Sequence, residues 1–176
     1  MRDDIAASSL YIGQTDIKVD RRKLKCLANK IERFVRLNQL PKMMWVSPLH
    51  RSLKVGVILA QRGFKCTIAP EFAEINFGDW NGKSWEQNEK QQIDEWCNNF
   101  VHFAPDNGES LQQLFNRAES WLDKILAEQK DHPVLAIGHA GWINAAKMIA
   151  ADQEVPKTAA EWPRSVAYLS CNRIDI

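Results

Sequence analysis

The segment Val134-Leu-Ala-Ile-Gly138-His139-Ala140-Gly141 changes character within a few residues. An apolar run that reads as a buried strand meets a histidine between small residues, and a helical pattern follows from about Trp142 to Ala151. A histidine placed there sits at the carboxyl end of a strand and the amino end of a helix. Backbone N–H groups and the helix dipole attract anions at that point, so the turn can hold a phosphate. Many turn histidines only satisfy a local hydrogen bond, and His139 gains weight only with partners.

The rest of the chain repeats the alternation of strand and helix. Residues 1–20 carry turn formers without sustained periodicity and read as a loop. From Arg21 to about Leu37, Leu24, Leu27, Ile31 and Phe34 recur at three- and four-residue spacings, the pattern of an amphipathic helix. Met43-Met-Trp-Val46 reads as a short buried strand, Leu49 to Arg62 as a helix closed by Gly63, and Phe64 to Ala69 as a second strand ended by Pro70. Glu71 to Gly82 has no clean period and reads as a loop over one end of the sheet, of a length that usually has a job. Helices from Ser84 to about Cys97 and from Ser110 to about Gln129, the strand 134–138 and a last strand Val166-Ala-Tyr-Leu-Ser170 complete the order. Strands alternating with helices imply right-handed crossovers and a mostly parallel sheet covered on both faces, an α/β three-layer sandwich. Such sheets bind ligands at the carboxyl ends of their strands, the edge to which Arg51 and His139 are both delivered.

Charge and cysteine usage narrow the class. Lys and Arg number 23 against 22 Asp and Glu, which argues for no nucleic acid and no acidic membrane as partner. Cys26, Cys66, Cys97 and Cys171 show no C-x-x-C spacing, and they suit reduced thiols in a cytoplasm better than a disulfide framework or a zinc site. No segment reaches the ~18 apolar residues of a membrane span, and no signal-peptide pattern opens the chain. A cytoplasmic protein of one domain, residues 1–176, is the expectation.

Each candidate residue has a bland reading beside its chemical one. Arg51, about one turn into a helix, can fork two phosphoryl oxygens or serve as a surface salt-bridge arginine. Glu74 lies among apolar neighbours that would raise a carboxyl pKa enough for general-acid work, although most loop carboxylates are simply solvated. Glu109 reads equally as a helix-start carboxylate favoured by the dipole. His50, His102 and His132 read as surface or loop residues. Trp80, Trp85, Trp96 and Trp142 read as packing residues, because no basic stripe accompanies them.

Taken in order, Gly13-Gln-Thr-Asp16, Ser47-Pro-Leu-His-Arg51, the loop from Glu74 to Gly82, Gly108-Glu-Ser110, Gly138-His-Ala-Gly141 and Ser165-Val166 span nearly the whole chain. As a set they resemble the histidine phosphatase (phosphoglycerate-mutase-like) superfamily, and within it the α-ribazole phosphatase branch of cobalamin synthesis. The resemblance implies a phosphomonoesterase working through a phosphohistidine. A first histidine attacks phosphorus, a second histidine and two arginines hold the oxygens, and a glutamate protonates the leaving oxygen. By motif position Arg51 corresponds to the second arginine, Glu74 to the acid and His139 to the second histidine, while Gly13, Gln14 and Thr15 correspond to a substrate loop. The implied ligand is a small phosphorylated metabolite, α-ribazole 5'-phosphate among them. No cofactor or metal is implied, since histidine and arginine supply the electrophilic environment, and a homodimer is left open. The short loop after Glu74 argues against a mutase.

One departure outweighs the agreements. The family opens with a buried strand running into Arg-His-Gly or Arg-His-Thr, which supplies the nucleophile. Counting back from Gly13 puts that motif at or before residue 1, and no Arg-His pair occurs in the chain. Val55-Gly56 also stands where Thr-Ala is usual, and Gly138 where a hydroxyl residue often precedes the histidine. A central strand burying four or five aliphatic side chains at ~1.5–3 kcal/mol each is comparable to a domain's net stability of ~5–15 kcal/mol. The chain therefore reads as one that starts at an internal methionine of a longer, active phosphatase. The alternative is a pseudophosphatase that binds phosphorylated ligands or a protein partner. Little turnover is expected of the chain as given, with phosphate held by Arg51 and His139 and a pH dependence set by protonation of His139.

Overall fold

Apolar side chains at helical spacing define the first layer. The computed structural model describes residues 12–128 and 133–176. Helix α1 (Arg21–Leu37) starts where the Asp20 carboxylate accepts the Arg22 N–H at 2.8 Å, and it buries Leu24, Ala28 and Val35. Strand β1 (Met43–Val46), helix α2 (His50–Ala60) and strand β2 (Lys65–Ile68) follow. Gly63, at φ +85°, lets the chain leave α2 and turn back into the sheet.

The second helical layer comes from α3 (Lys90–Asn98), α4 (Leu111–Glu128) and α5 (Ala140–Ala150), with strand β3 (Ala136–Ile137) between α4 and α5. Ser110 and Gln113 close a reciprocal capping box at the start of α4. The Ser110 hydroxyl accepts the Gln113 N–H at 3.2 Å, and the Gln113 amide oxygen accepts the Ser110 N–H at 2.7 Å.

The described strands form one parallel sheet in the order β2-β1-β3, with Trp45 opposite both Thr67 and Ala136. Alternation along β1 assigns its two faces. Met44 and Val46 join Leu24, Ala28, Val55, Leu59 and Phe64 in the core beneath α1 and α2. Trp45 points the other way, into a core built on Phe72, Leu114, Trp121 and Trp142. There Phe72 packs at 4.4 Å from both the Trp121 and the Trp142 ring, and Trp45 meets Trp121 edge-on at 6.1 Å. The architecture is the expected three-layer α/β sandwich. Among the described residues β3 has one neighbour only, and Leu135, Ala136 and Ile137 line a cleft of 2190 Å³ that Arg51 and His139 also line.

Two expected elements differ. Val166–Ser170 forms no strand: Leu169 takes φ +59°, a left-handed conformation that breaks an extended run, and the Ser170 N–H closes a turn on the Ala167 carbonyl at 3.1 Å. The helix expected over Ser84 to Cys97 is split into a 3-10 turn at Trp85–Gln87 and α3. No apolar residue lies between Trp85 and Ile93, so the intervening segment has no face to bury. The first eleven residues of the loop expected over 1–20, the far end of the helix reaching Gln129, and His132 lie outside the described residues.

Candidate active site

Because β1 and β3 are neighbouring and parallel, with Val46 opposite Ile137, the residues that follow them emerge side by side. The Ser47 N–H donates to the Ile137 carbonyl at 3.1 Å, which fixes Ser47 next to His139. The Ser47 hydroxyl then lies 2.8 Å from His139 Nε2, and both residues are buried. Arg51, in the first turn of α2, donates from Nε to His139 Nδ1 at 3.1 Å. A guanidinium has no acceptor, so Nδ1 must be the unprotonated nitrogen and Nε2 carries the hydrogen, which it gives to Ser47. The ring is neutral. Burial, reinforced by the positive charges of Arg51 and Arg117, pushes its pKa down to about 3.

Desolvation and the two guanidinium groups thus keep His139 uncharged near neutrality.

Glu74 comes from the irregular segment that follows a 3-10 turn at Pro70–Phe72. Its carboxyl accepts the Ile75 N–H at 3.0 Å and the Gly141 N–H at 3.2 Å. Gly141 is in the first turn of α5, so the positive end of that helix meets the chain's own carboxylate. A Cβ on Gly141 would fall 2.4 Å from Glu74 Oε1, which explains the small residue. Burial pushes the Glu74 pKa up, opposed by N–H groups of Ile75, Gly141 and Trp142 and by Arg51.

Gly13, Gln14 and Thr15 join the group largely through their backbone. Arg51 Nη2 donates to the Gly13 carbonyl at 2.7 Å and Nη1 to the Thr15 carbonyl at 3.0 Å. The Gln14 amide donates to the Glu74 carbonyl at 2.9 Å. Gly13 has φ +42°, and a Cβ there would fall 2.1 Å from the Asn81 amide oxygen. All six residues singled out from the sequence thus meet at one end of the sheet. Arg51, Glu74 and His139 converge as expected, with Arg51 tied to the protein's own acceptors at three donors.

His50 stands apart. Its Nδ1 pairs with Asp16 at 3.2 Å on the surface, where Asp16 also accepts the His50 N–H. His102 is exposed. Glu109 does more than favour a helix start: it pairs with Arg117 at 2.7 Å and accepts the Asn76 N–H at 2.9 Å. Arg117 escaped sequence reasoning, and Ser47 entered it only as the first residue of the Ser47–Arg51 motif. Arg117 had a signal, since it lies three residues after Leu114 and four before Trp121, on the buried side of α4. No helix among the described residues is long and apolar enough to cross a membrane.

A family model for the histidine phosphatase superfamily (branch 1) matches residues 6–176. The chain is similar to the adenosylcobalamin/alpha-ribazole phosphatase of Escherichia coli K12, with 30% identity over 88 residues, 48% of this chain and 43% of that protein. The match spans less than half the length of that relative. Among solved structures, a mycobacterial glucosyl-3-phosphoglycerate phosphatase complexed with inorganic phosphate shares the fold at TM-score 0.67 and 21% identity, over 84% of this chain and 76% of that one. The alpha-ribazole phosphatase from Shigella flexneri does so at TM-score 0.64 and 21% identity, over 84% of this chain and 74% of that one.

Proposed function

Since the chain belongs to the histidine phosphatase superfamily, branch 1, we propose that it handles small phosphomonoesters, with Arg51, His139 and Glu74 as its phosphoryl-holding and proton-donating groups. The observation that carries this reading is the contact of Arg51 with His139 at 3.1 Å beside a desolvated Glu74 carboxyl on the start of α5.

Three of the five N–H donors of Arg51 are taken by Gly13, Thr15 and His139 among the described residues, which leaves two for phosphoryl oxygens. An anion that displaces the Arg51 Nε bond offsets the positive field at the ring, so His139 takes up a proton at Nδ1 and donates it to a phosphoryl oxygen. Glu74, with its raised pKa, keeps a larger fraction protonated near neutrality than an ordinary carboxyl. Its proton goes to the ester oxygen as that oxygen leaves phosphorus and a water molecule takes its place there, the water's proton returning to the Glu74 carboxylate.

A specific observation favours a second reading, in which the chain as given binds phosphorylated ligands with little turnover. The described histidines other than His139 are surface residues, His50 on Asp16 and His102 exposed, and both ring nitrogens of His139 are engaged. The name of the Escherichia coli relative makes α-ribazole 5'-phosphate the first ester to try.

The test is calorimetric titration with inorganic phosphate and α-ribazole 5'-phosphate, beside an aryl-phosphate hydrolysis assay. Binding that weakens about tenfold or more in Arg51→Ala, the loss of ~1.5–3 kcal/mol expected of a charge-assisted bond, supports the site. Unchanged binding in both Arg51→Ala and His139→Ala would remove it. Turnover at ordinary enzyme rates decides between the two readings.

A further inference from the structure

Glu74 sits in a segment with little regular structure of its own. From Ala73 to Phe77 the backbone is neither helix nor strand, yet the Glu74 carboxyl must meet the N–H of Gly141 on a different element. Something else has to hold it there.

Beside the Gln14 amide, which donates to the Glu74 carbonyl at 2.9 Å, the bonds that do so come from α4 and the residue just before its cap. Arg117 Nη1 donates to the Glu71 carbonyl and, at 2.9 Å, to the Ala73 carbonyl, both ahead of Glu74. The Glu109 carboxylate accepts the Asn76 N–H at 2.9 Å, and the Glu109 N–H donates to the Asn76 carbonyl at 2.8 Å, both behind Glu74. The two side chains are joined by the 2.7 Å contact from Arg117 Nη2 to Glu109 Oε1, with side-chain exposures of 21% and 15%. Glu74 is thus bracketed on both sides by one shielded ion pair at the start of α4.

Resting on the reading of Glu74 as the proton donor, we propose that Arg117 and Glu109 are positioning residues for it, a strut that holds the segment from Glu71 to Asn76 against the start of α5. Arg117 does this by its shape. A planar fork serves two carbonyls and a carboxylate together, whereas a lysine ammonium on a flexible stem is a point charge. The substitution Arg117→Lys therefore keeps the charge and removes the strut.

The experiment is a carbon-13 NMR titration of the Glu74 side-chain carboxyl in the full chain, assigned by its absence in Glu74→Gln, for the native protein, Arg117→Lys and Glu109→Gln. Arg51 is the charged side chain that faces Glu74, and it is unchanged in every sample. In the native protein Glu74 titrates above the ordinary carboxyl range. With the strut broken, the carboxyl swings toward water and its midpoint falls by about one pH unit or more in Arg117→Lys, with a smaller fall of the same sign in Glu109→Gln. Should Arg117→Lys not fold, Arg117→Gln decides: loss of the positive charge alone would raise the Glu74 midpoint, whereas loss of the strut lowers it.

A midpoint unchanged in Arg117→Lys would show that charge alone matters and overturn the proposal, as would an unchanged or raised midpoint in Glu109→Gln. The titration needs no turnover and no ligand. Failure to bind inorganic phosphate would count against the functional reading and leave the strut standing.

Discussion

Arg51 Nε donates to His139 Nδ1 across 3.1 Å, so the arginine determines which nitrogen of the buried histidine carries its hydrogen. The pair joins α2 to the turn after β3 and sets one cation against one neutral ring.

The depressed pKa of His139, about 3, makes folding stability depend on pH in a definite direction. The unfolded chain's histidine takes a proton near pH 6.5 while the folded one does not, so the unfolded state binds more protons below that pH. Stability from this group is present above pH 6.5 and is lost as pH falls from there toward 3, by at most ~1.4 kcal/mol per pH unit. Urea unfolding at a series of pH values should show the decline, and His139→Gln should flatten it.

Glu74 acts with the opposite sign. Its raised pKa means that the folded state holds a proton which the unfolded chain has already released, so this carboxyl costs stability as pH rises from the ordinary glutamate range through the folded value. Glu74→Gln is expected to raise the melting temperature at pH 8 and to have less effect at pH 4. It should also remove any phosphoester hydrolysis that depends on a proton donor.

Gly141→Ala should displace the Glu74 carboxyl, because the added Cβ would lie 2.4 Å from Oε1. Overpacking of this kind costs ~1–3 kcal/mol. The same carboxyl titration described for the Arg117 variants should find the Glu74 midpoint lowered, and an unchanged midpoint would mean that the helix start tolerates a side chain.

Ser47→Ala takes the hydroxyl away from a buried His139 Nε2–H, leaving a donor without its acceptor 2.8 Å away. A loss of ~1–3 kcal/mol is expected in denaturant unfolding. His139→Phe in the same background should recover part of it, because the donor is then gone as well.

Much of this arrangement was legible in the chain. β1 was predicted at Met43–Val46, its observed span, because four consecutive apolar residues between turn formers have few other uses. The convergence of Arg51 and His139 follows from two parallel strands ending at one edge. What could not be read is what depends on partners distant in sequence. Ser47 becomes a histidine partner only once β1 and β3 are in register, and Arg117 finds the carbonyls of Glu71 and Ala73 only after α4 docks. Val166–Ser170 misled for a related reason. Alternation there matched a strand, but the left-handed Leu169 and the turn after it override local propensity.

The indole cluster carries an experimental consequence. Trp45 belongs to the sheet, Trp121 to α4 and Trp142 to α5; Trp121 meets Trp45 at 6.1 Å and Trp142 at 5.7 Å, and Phe72 packs on Trp121 and Trp142. The ring contacts exist only when the sheet and the second helical layer are assembled, so near-ultraviolet circular dichroism reports that assembly without any label. Trp142 also stands three residues from His139. On the proposed reading, an anion arriving at the histidine perturbs a chromophore already coupled to the core, and one optical signal then follows both ligand occupancy and the docking of the layers.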